Sequence, residues 1–138
     1  MKNQVTSIEQ SERLIELGVP AEKASMVWGL TNGAYDLIIA TLSDDILKQS
    51  ALGITEIYPA FTVADLLEKV LPNVIQDAHN TYELTLKAVV GGGWRFCYTP
   101  VLTQLEADNI GEKMGDSLIE LLCNRIEWAV CNGYGLNL

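Results

Sequence analysis

The segment Tyr58–Pro72 has the sequence YPAFTVADLLEKVLP, and its residues together specify one short amphipathic helix. Thr62 is suited to cap the helix N-terminus, and Asp65 three positions later can return the hydrogen bond, as in a capping box. Phe61 before the cap and Leu66 at the fourth helical position predict a hydrophobic staple. All of these features specify architecture, and none of them points to chemistry.

The apolar residues of this helix fall on one face, which we expect to be buried: Val63, Leu66, Leu67 and Val70. The charged residues Asp65, Glu68 and Lys69 are expected to point elsewhere. Pro72 ends the helix because proline cannot continue it.

Length and hydropathy predict one globular domain over residues 1–138. The chain has 138 residues, a length at which one domain can bury a core. Its hydrophobic fraction of 49% and mean hydropathy of +0.16 are higher than those of disordered proteins. No run approaches the roughly 18 apolar residues of a membrane span, so we expect no membrane partner. The opening MKNQVTSIEQ lacks the apolar run of a signal peptide, and we therefore expect a cytoplasmic location unless a leader has been removed.

The charge balance argues against a nucleic-acid partner. The chain has 18 acidic and 9 basic residues, a net charge of −9 and a pI near 4.4. Nucleic-acid binding draws most of its affinity from Lys and Arg at phosphates, and an anionic membrane surface attracts the same residues. Acidity of this kind usually just keeps a protein soluble.

Two further helices are predicted near the ends of the chain. Residues 7–18, SIEQSERLIELG, begin at a capping box made by Ser7 with Gln10 or by Thr6 with Glu9, and end at Gly18. Pro20 then opens a second short helical turn, residues 20–25. The apolar face of the first helix contains Ile8, Ser11, Leu14 and Ile15.

The last helix is the longest. It begins at Asp116 or Ser117, with Ser117 and Glu120 as a capping box, and Asn132-Gly133 ends it. Its buried stripe is predicted from the 3.6-residue period, with Ile119 and Leu121 widening it: Leu118, Leu122, Ile126, Ala129 and Val130.

Two hairpins are predicted between the helices. Asn32-Gly33 separates two apolar runs, the strongest short hairpin signal, and the consecutive Leu37–Ile39 indicate a strand covered on both faces. Residues 82–90 and 94–100 alternate around Gly91–Gly93, which predicts a second antiparallel hairpin with one solvated face.

The connecting segments carry weaker signals. Residues 43–53 are typical of a short helix between Ser43 and Gly53, whereas residues 73–80 and 101–115 are expected to be mostly irregular. The predicted fold is therefore α+β: a small antiparallel sheet of about four strands, from two hairpins, with amphipathic helices packed on one face.

The candidates for chemistry all have simpler explanations. Gly91–Gly93 precedes a strand, whereas a phosphate loop needs a following helix, so we interpret it as a hairpin turn. His79 near Asp77 could be part of a general-base pair, but no nucleophile signature accompanies it, and a lone surface histidine is the better interpretation. The acidic pairs Asp44-Asp45 and Glu106-Asp108 lack the spacing of a calcium loop and are interpreted as solvated surface.

The cysteines and aromatic residues are also assigned structural roles. Three scattered cysteines and one histidine offer neither a disulfide framework nor a zinc site, and free thiols are expected at Cys97, Cys123 and Cys131. Cys123 and Cys131 lie about 80° apart around their helix, so Cys123 is interpreted as a core filler and Cys131 as near the surface. Six aromatic residues are expected mainly in the core, although clustered on a surface they would mark a binding patch: Trp28, Trp94, Trp128, Tyr35, Tyr58 and Phe61. We therefore predict no catalytic, cofactor-binding or metal-binding residue, and no cofactor.

Taken in order, four segments resemble a family of small uncharacterised proteins from gut Bacteroides-type genomes, often in phage or mobile-element contexts. They are SIEQSERLIELGVPAEKASMVW, YPAFTVADLLEKVLP, YELTLKAVVGGGWRFCYTP and GDSLIELLCNRIEWAVCNGY. Many relatives have proline, alanine or threonine followed by tryptophan-serine-leucine where this chain has Pro59–Val63, a departure that keeps the staple and the cap. The family has no assigned activity, so the resemblance implies only a bacterial or phage origin and a cytoplasmic setting.

The absence of a catalytic constellation, together with this resemblance, predicts a non-enzymatic interaction protein of phage or mobile-element type. Its partner would be another protein or a second copy of the chain, because the last helix has a wide apolar stripe. The alternative is a small-molecule binding protein or an enzyme, with a site assembled from residues distant in sequence. A deep pocket with converging polar groups would favour this alternative, and a flat apolar patch the interaction protein.

Overall fold

The computed structural model describes residues 4–39, 54–102 and 108–138. In these residues three helices and seven strands follow one another: α1 (Ile8–Glu16), β1 (Met26–Thr31), β2 (Ala34–Ile39), β3 (Ile54–Ala60), α2 (Val63–Asp65, continued as a π-helix over Leu66–Val70), β4 (Val74–Gln76), β5 (Thr81–Ala88), β6 (Trp94–Pro100), β7 (Ile110–Gly115) and α3 (Leu118–Cys131). The predicted short turn after Pro20 is a 3-10 turn over Ala21–Lys23.

The main core lies on one face of a four-stranded antiparallel sheet with the order β4-β5-β6-β7. Tyr82, Phe96 and Tyr98 project from that face and are buried with Leu122 and Ile126 of α3. The opposite face presents Glu83, Thr85 and Lys87, as the alternation of β5 predicts. The α+β class and the four-stranded sheet are therefore confirmed.

A second antiparallel sheet, with the order β2-β1-β3, lies beside this core. Asn32 (φ 51°) and Gly33 (φ 80°) form the β1–β2 turn, and positive φ at both residues is what a type I′ hairpin requires. The expectation that Leu37–Ile39 is covered on both faces is wrong. β2 is an edge strand of the described sheet, and the Ile39 side chain is 52% exposed, so at this residue one face of the strand is open.

The helix predicted between Thr62 and Pro72 is present, with two differences. The Thr62 and Asp65 side chains make both hydrogen bonds of the capping box, and Phe61 is fully buried with Leu66. The helix continues as a π-helix, which ends where Leu71 N–H donates to the Leu66 carbonyl at 2.8 Å. Asp65 was expected to point away from the buried face. Its carboxylate is nevertheless only 2% exposed.

The two terminal helices begin where the sequence indicates. Of the alternatives left open, Ser7 with Gln10 forms the capping box of α1, and Ser117 is the N-cap of α3. Along α3, Arg125 is buried although the apolar period did not include it. The predicted stripe of α3 packs largely into the chain's own core, and self-association through it stays a prediction.

Two segments expected to be irregular contain strands. Val74–Gln76 forms β4 against β5, and Ile110–Gly115 forms β7 against β6. Both strands are at sheet edges, and β7 contains a bulge, so neither has the clean alternation that identifies a strand in a sequence. The helix predicted over residues 43–53 lies outside the described residues.

The second hairpin forms as predicted. β5 and β6 pair in register from Tyr82 with Pro100 to Ala88 with Trp94, and Gly91–Gly93 make the turn between them.

Among the described residues, no helix is long and apolar enough to cross a membrane.

Candidate functional site

A cleft of about 710 Å³ lies between the two sheets and the first turns of α1 and α3. Its lining combines two indole rings, five polar side chains and an apolar floor: Trp28, Trp94, Gln4, Ser7, Gln10, Asp116, Ser117, Val5, Val63, Leu118 and Ile119. We call this the tryptophan cleft. Ligand sites in proteins are typically concave and combine apolar surface with a few placed polar groups, and the cleft has both in about equal shares.

Trp28 forms the cleft wall that belongs to the three-stranded sheet. It lies in the central strand β1, paired with Leu37 on one side and Tyr58 on the other. Its indole N–H donates to the Thr6 carbonyl at 2.9 Å, which fixes the ring against the segment leading into α1. The ring is therefore held in place before any ligand arrives, so binding has less side-chain entropy to remove.

Trp94 forms the wall that belongs to the four-stranded sheet. It is the first residue of β6, pairs with Gly115 of β7 and packs partly buried at the edge of the core. Asp116 lines the same cleft, and its Oδ1 would lie 3.2 Å from a Cβ placed on Gly93, the residue before Trp94. Asp116 is exposed and has no hydrogen-bond or ion-pair partner among the described residues.

The start of α1 supplies the polar rim opposite Asp116. The Ser7 N–H donates to Gln10 Oε1 at 2.9 Å, and the Gln10 N–H donates to Ser7 Oγ at 3.1 Å. Because these bonds use the Gln10 carbonyl oxygen, its side-chain NH₂ remains available to donate to a ligand. A mainly apolar depression of about 550 Å³ shares Gln4 and Val63 with the cleft and extends it along α2.

The hydroxyl groups that line the cleft are already used in the fold. They belong to Ser7 and Ser117, and each accepts a backbone N–H as a helix cap. Neither is paired with a histidine, lysine or second carboxylate that could activate it as a nucleophile. The indoles, amides and carboxylate favour recognition of a ligand with an apolar body and a polar or charged end.

One partly buried cluster elsewhere has the residue types of a serine–lysine site, with Lys69 at its exposed side. Ser25 Oγ donates to Asp65 Oδ1 and lies 3.1 Å from Lys69 Nζ, which itself donates to Asp65 Oδ1 at 2.8 Å. Burial alone would raise the pKa of Asp65, but hydrogen bonds from Lys69, Ser25 and backbone N–H groups outweigh it and lower the pKa below its ordinary value. These bonds join the residue that precedes β1 to α2.

The His79 imidazole does not hydrogen-bond to the Asp77 carboxylate, so the two do not form a general-base pair. Asp77 Oδ1 accepts the backbone N–H groups of His79 and Asn80 at 2.8 and 2.7 Å, and Oδ2 accepts the Tyr82 hydroxyl. The two backbone bonds lower the pKa of Asp77, which stabilises a turn. The histidine is exposed, and its imidazole takes no part in these bonds.

No metal site is found in residues 4–39, 54–102 and 108–138, where no three His, Cys, Asp or Glu side chains come together as ligands. Asp44, Asp45 and Glu106 lie outside the described residues, and Asp108 is exposed.

The three cysteines are free thiols, as expected. Cys97 is buried on the outer face of the four-stranded sheet, where Asn109 Nδ2 donates to its sulfur at 3.6 Å. Burial raises the pKa of Cys123 to about 12, and Cys131 is exposed.

The expectation for the aromatic residues holds for some and fails for others. Phe61 is fully buried, and Trp128 stacks on Tyr98 at 5.9 Å between ring centroids. Trp94 packs partly buried against the core, and both Trp28 and Trp94 line the cleft. The sequence gives no signal for this meeting, because the two residues lie 66 positions apart on separate sheets. Asp116 was considered only as a helix cap, and its place next to Gly93 depends on the β6–β7 pairing.

The chain matches no protein-family model, no curated protein and no solved structure.

Proposed function

We propose that the protein is a binding protein that takes an amphipathic ligand into the tryptophan cleft, without catalysing a reaction. One observation carries the proposal: two tryptophans from different sheets and five polar side chains converge on one cavity of about 710 Å³. That volume lies within the range of small-molecule sites. The alternative expected from the sequence is a small-molecule binding protein or an enzyme, to be favoured by a deep pocket with converging polar groups. The cleft is open, and it is its polar lining that supports the proposal.

A protein partner is the second candidate, and one surface favours it. Trp28, Tyr58 and Tyr35 share a face of the three-stranded sheet, where the two tyrosine rings meet edge to face at 6.0 Å between centroids. Aromatic residues dominate interface energetics, and of these three Trp28 also lines the cleft. A partner segment lying across this face would place a side chain in the cleft. The interaction role of phage or mobile-element type stays a prediction.

A fragment screen by ligand-observed NMR tests the proposal. We expect fragments with an aromatic or alkyl body to show saturation transfer from the protein, and Trp94→Phe to weaken the hits about tenfold, because the smaller ring removes part of the contact area. Tyr35→Phe is the matched control, since Tyr35 is a partly exposed aromatic residue that does not line the cleft. Hits that bind equally well to the Trp94→Phe variant and to the native protein would remove the cleft from the proposal.

A further inference from the structure

The charges around the tryptophan cleft restrict what kind of ligand it can hold. Its eleven lining residues contain one carboxylate, Asp116, and no lysine, arginine or histidine. The chain as a whole carries a net charge of −9, which adds a negative potential over any site on its surface. An anionic ligand would find no side-chain cation to pair with in the cleft.

Two helix N-termini meet at the cleft, and the positive ends of their dipoles oppose the negative potential there. Each end is already compensated, because the first turn of α1 contains Glu9 and that of α3 contains Glu120. The Ser7 and Ser117 caps also each satisfy one backbone N–H. The full negative charge of the glutamate at each first turn is larger than the roughly half positive charge of the helix dipole. The sum of charges at each helix start is therefore negative.

The two indoles add an attraction that is specific for cations. The face of a tryptophan ring carries a negative quadrupole, and alkylammonium groups bind between such faces in aromatic cages. Trp28 is fixed by its bond to the Thr6 carbonyl, and the unpartnered Asp116 carboxylate lines the same cavity next to Gly93. Two indole rings and an available carboxylate therefore occur together in one cavity.

From this we infer that the tryptophan cleft recognises an alkylammonium group, free or on a larger molecule. The methyl or methylene groups of the ligand contact Trp28 and Trp94, and its positive charge lies near Asp116. This inference rests on the proposed function, and it goes further by naming the chemical class of the ligand.

Choline and 3,3-dimethyl-1-butanol test the inference, because they share one shape and differ in charge. Binding is measured by ligand-observed NMR at low salt, with tryptophan fluorescence as a second readout. We expect choline to bind at least about tenfold more tightly than the neutral alcohol, the difference that a desolvated cation–π contact supplies. Asp116→Asn should lower the affinity for choline about tenfold and leave the alcohol unchanged, and added salt should have the same selective effect.

Glu83→Gln is the control variant, because it removes an exposed carboxylate from the outer sheet face, away from the cleft. Equal affinity for the two probes, or choline binding that Asp116→Asn does not change, would overturn the alkylammonium assignment while the cleft remains a binding site. The assignment also fails if neither probe binds while other fragments bind in a Trp94-dependent manner. If no fragment of any charge binds, the proposed function fails with it.

Discussion

Gly111 is the residue on which the packing of β7 against α3 depends most closely. Gly111 and Glu112 lie opposite the single residue Cys97, which makes a bulge, and Gly111 has φ +64°. Its carbonyl accepts a hydrogen bond from the buried Arg125 at 3.1 Å, and the Trp128 ring lies directly against its Cα. Burial without a paired carboxylate lowers the pKa of Arg125 below its ordinary value.

We predict that Gly111→Ala destabilises the protein by about 3 kcal/mol, since overpacking and left-handed strain act together. An added Cβ would lie 2.7 Å from Trp128 Cη2, with no room for the ring to keep its place. Gly133→Ala is the control: its φ is +77° and nothing lies within 4 Å of the added atom, so backbone strain alone should cost about 1 kcal/mol. Urea unfolding followed by circular dichroism measures both, and equal losses would show that the contact with Trp128 is unimportant.

At the scale of elements, Asp65 joins β1 to α2. Its carboxylate accepts the backbone N–H groups of Ser25 and Thr62 at 2.8 and 2.9 Å, besides the Ser25 hydroxyl and Lys69. It therefore combines the local capping box with contacts to a segment 40 positions earlier in the sequence. Such a carboxylate stabilises the fold only while it is ionised.

We predict that Asp65→Ala lowers the free energy of unfolding at pH 7 by about 3 kcal/mol, because buried donors lose a charged acceptor. The pKa of Asp65 is lower in the folded state, so its stabilisation is complete above the unfolded value of about 4 and is lost as the pH falls through the folded value. The difference between variant and native protein should therefore shrink between pH 5 and pH 2 in urea titrations. Glu68→Ala, an exposed change on the same helix, should have little effect at any pH. A constant difference across this pH range would contradict the role of the ionised carboxylate.

The same elements show what can be predicted from the sequence and what cannot. Caps, staple and hairpin turns depend on residues within a few positions of each other, so Thr62, Ser7 and Asn32-Gly33 identify their elements correctly. The burial of Asp65 was missed because Ser25 is its partner only in the folded chain. β4 and β7 were missed because short or bulged edge strands lack a period-2 pattern.

The candidate site was beyond sequence analysis for the same reason. Trp28 and Trp94 were identified as aromatic anchors, but whether such rings lie in a core or face a cavity depends on how the two sheets pack. No local spacing encodes the approach of Asp116 to Gly93, which follows from strand pairing. The lack of sequence motifs therefore gave no information on whether residues distant in sequence form a binding site.

At the scale of the whole molecule, the three thiols report on cooperative opening of the fold. Cys131 is exposed, Cys97 is 4% exposed, and burial raises the pKa of Cys123 to about 12, which leaves it protonated near neutral pH. We predict that one thiol reacts rapidly with Ellman's reagent at pH 8 in the native protein, and all three in 8 M urea. Cys131→Ser should abolish the rapid phase, and three equally fast thiols in the native protein would contradict the described packing.

The tryptophan cleft is built at the margin of the fold, and this bears on how the sequence can change over time. Gln4, Ser7, Asp116 and Ser117 are exposed, and neither Trp28 nor Trp94 is among the fully buried side chains that define the core. At these rim positions, selection for a particular ligand acts apart from selection for a stable interior, whereas Val5 and Ile119 belong both to the cleft lining and to the buried core. Descendants of one ancestral chain can keep the same interior while their cleft residues diverge, so that a shared fold accompanies different ligands.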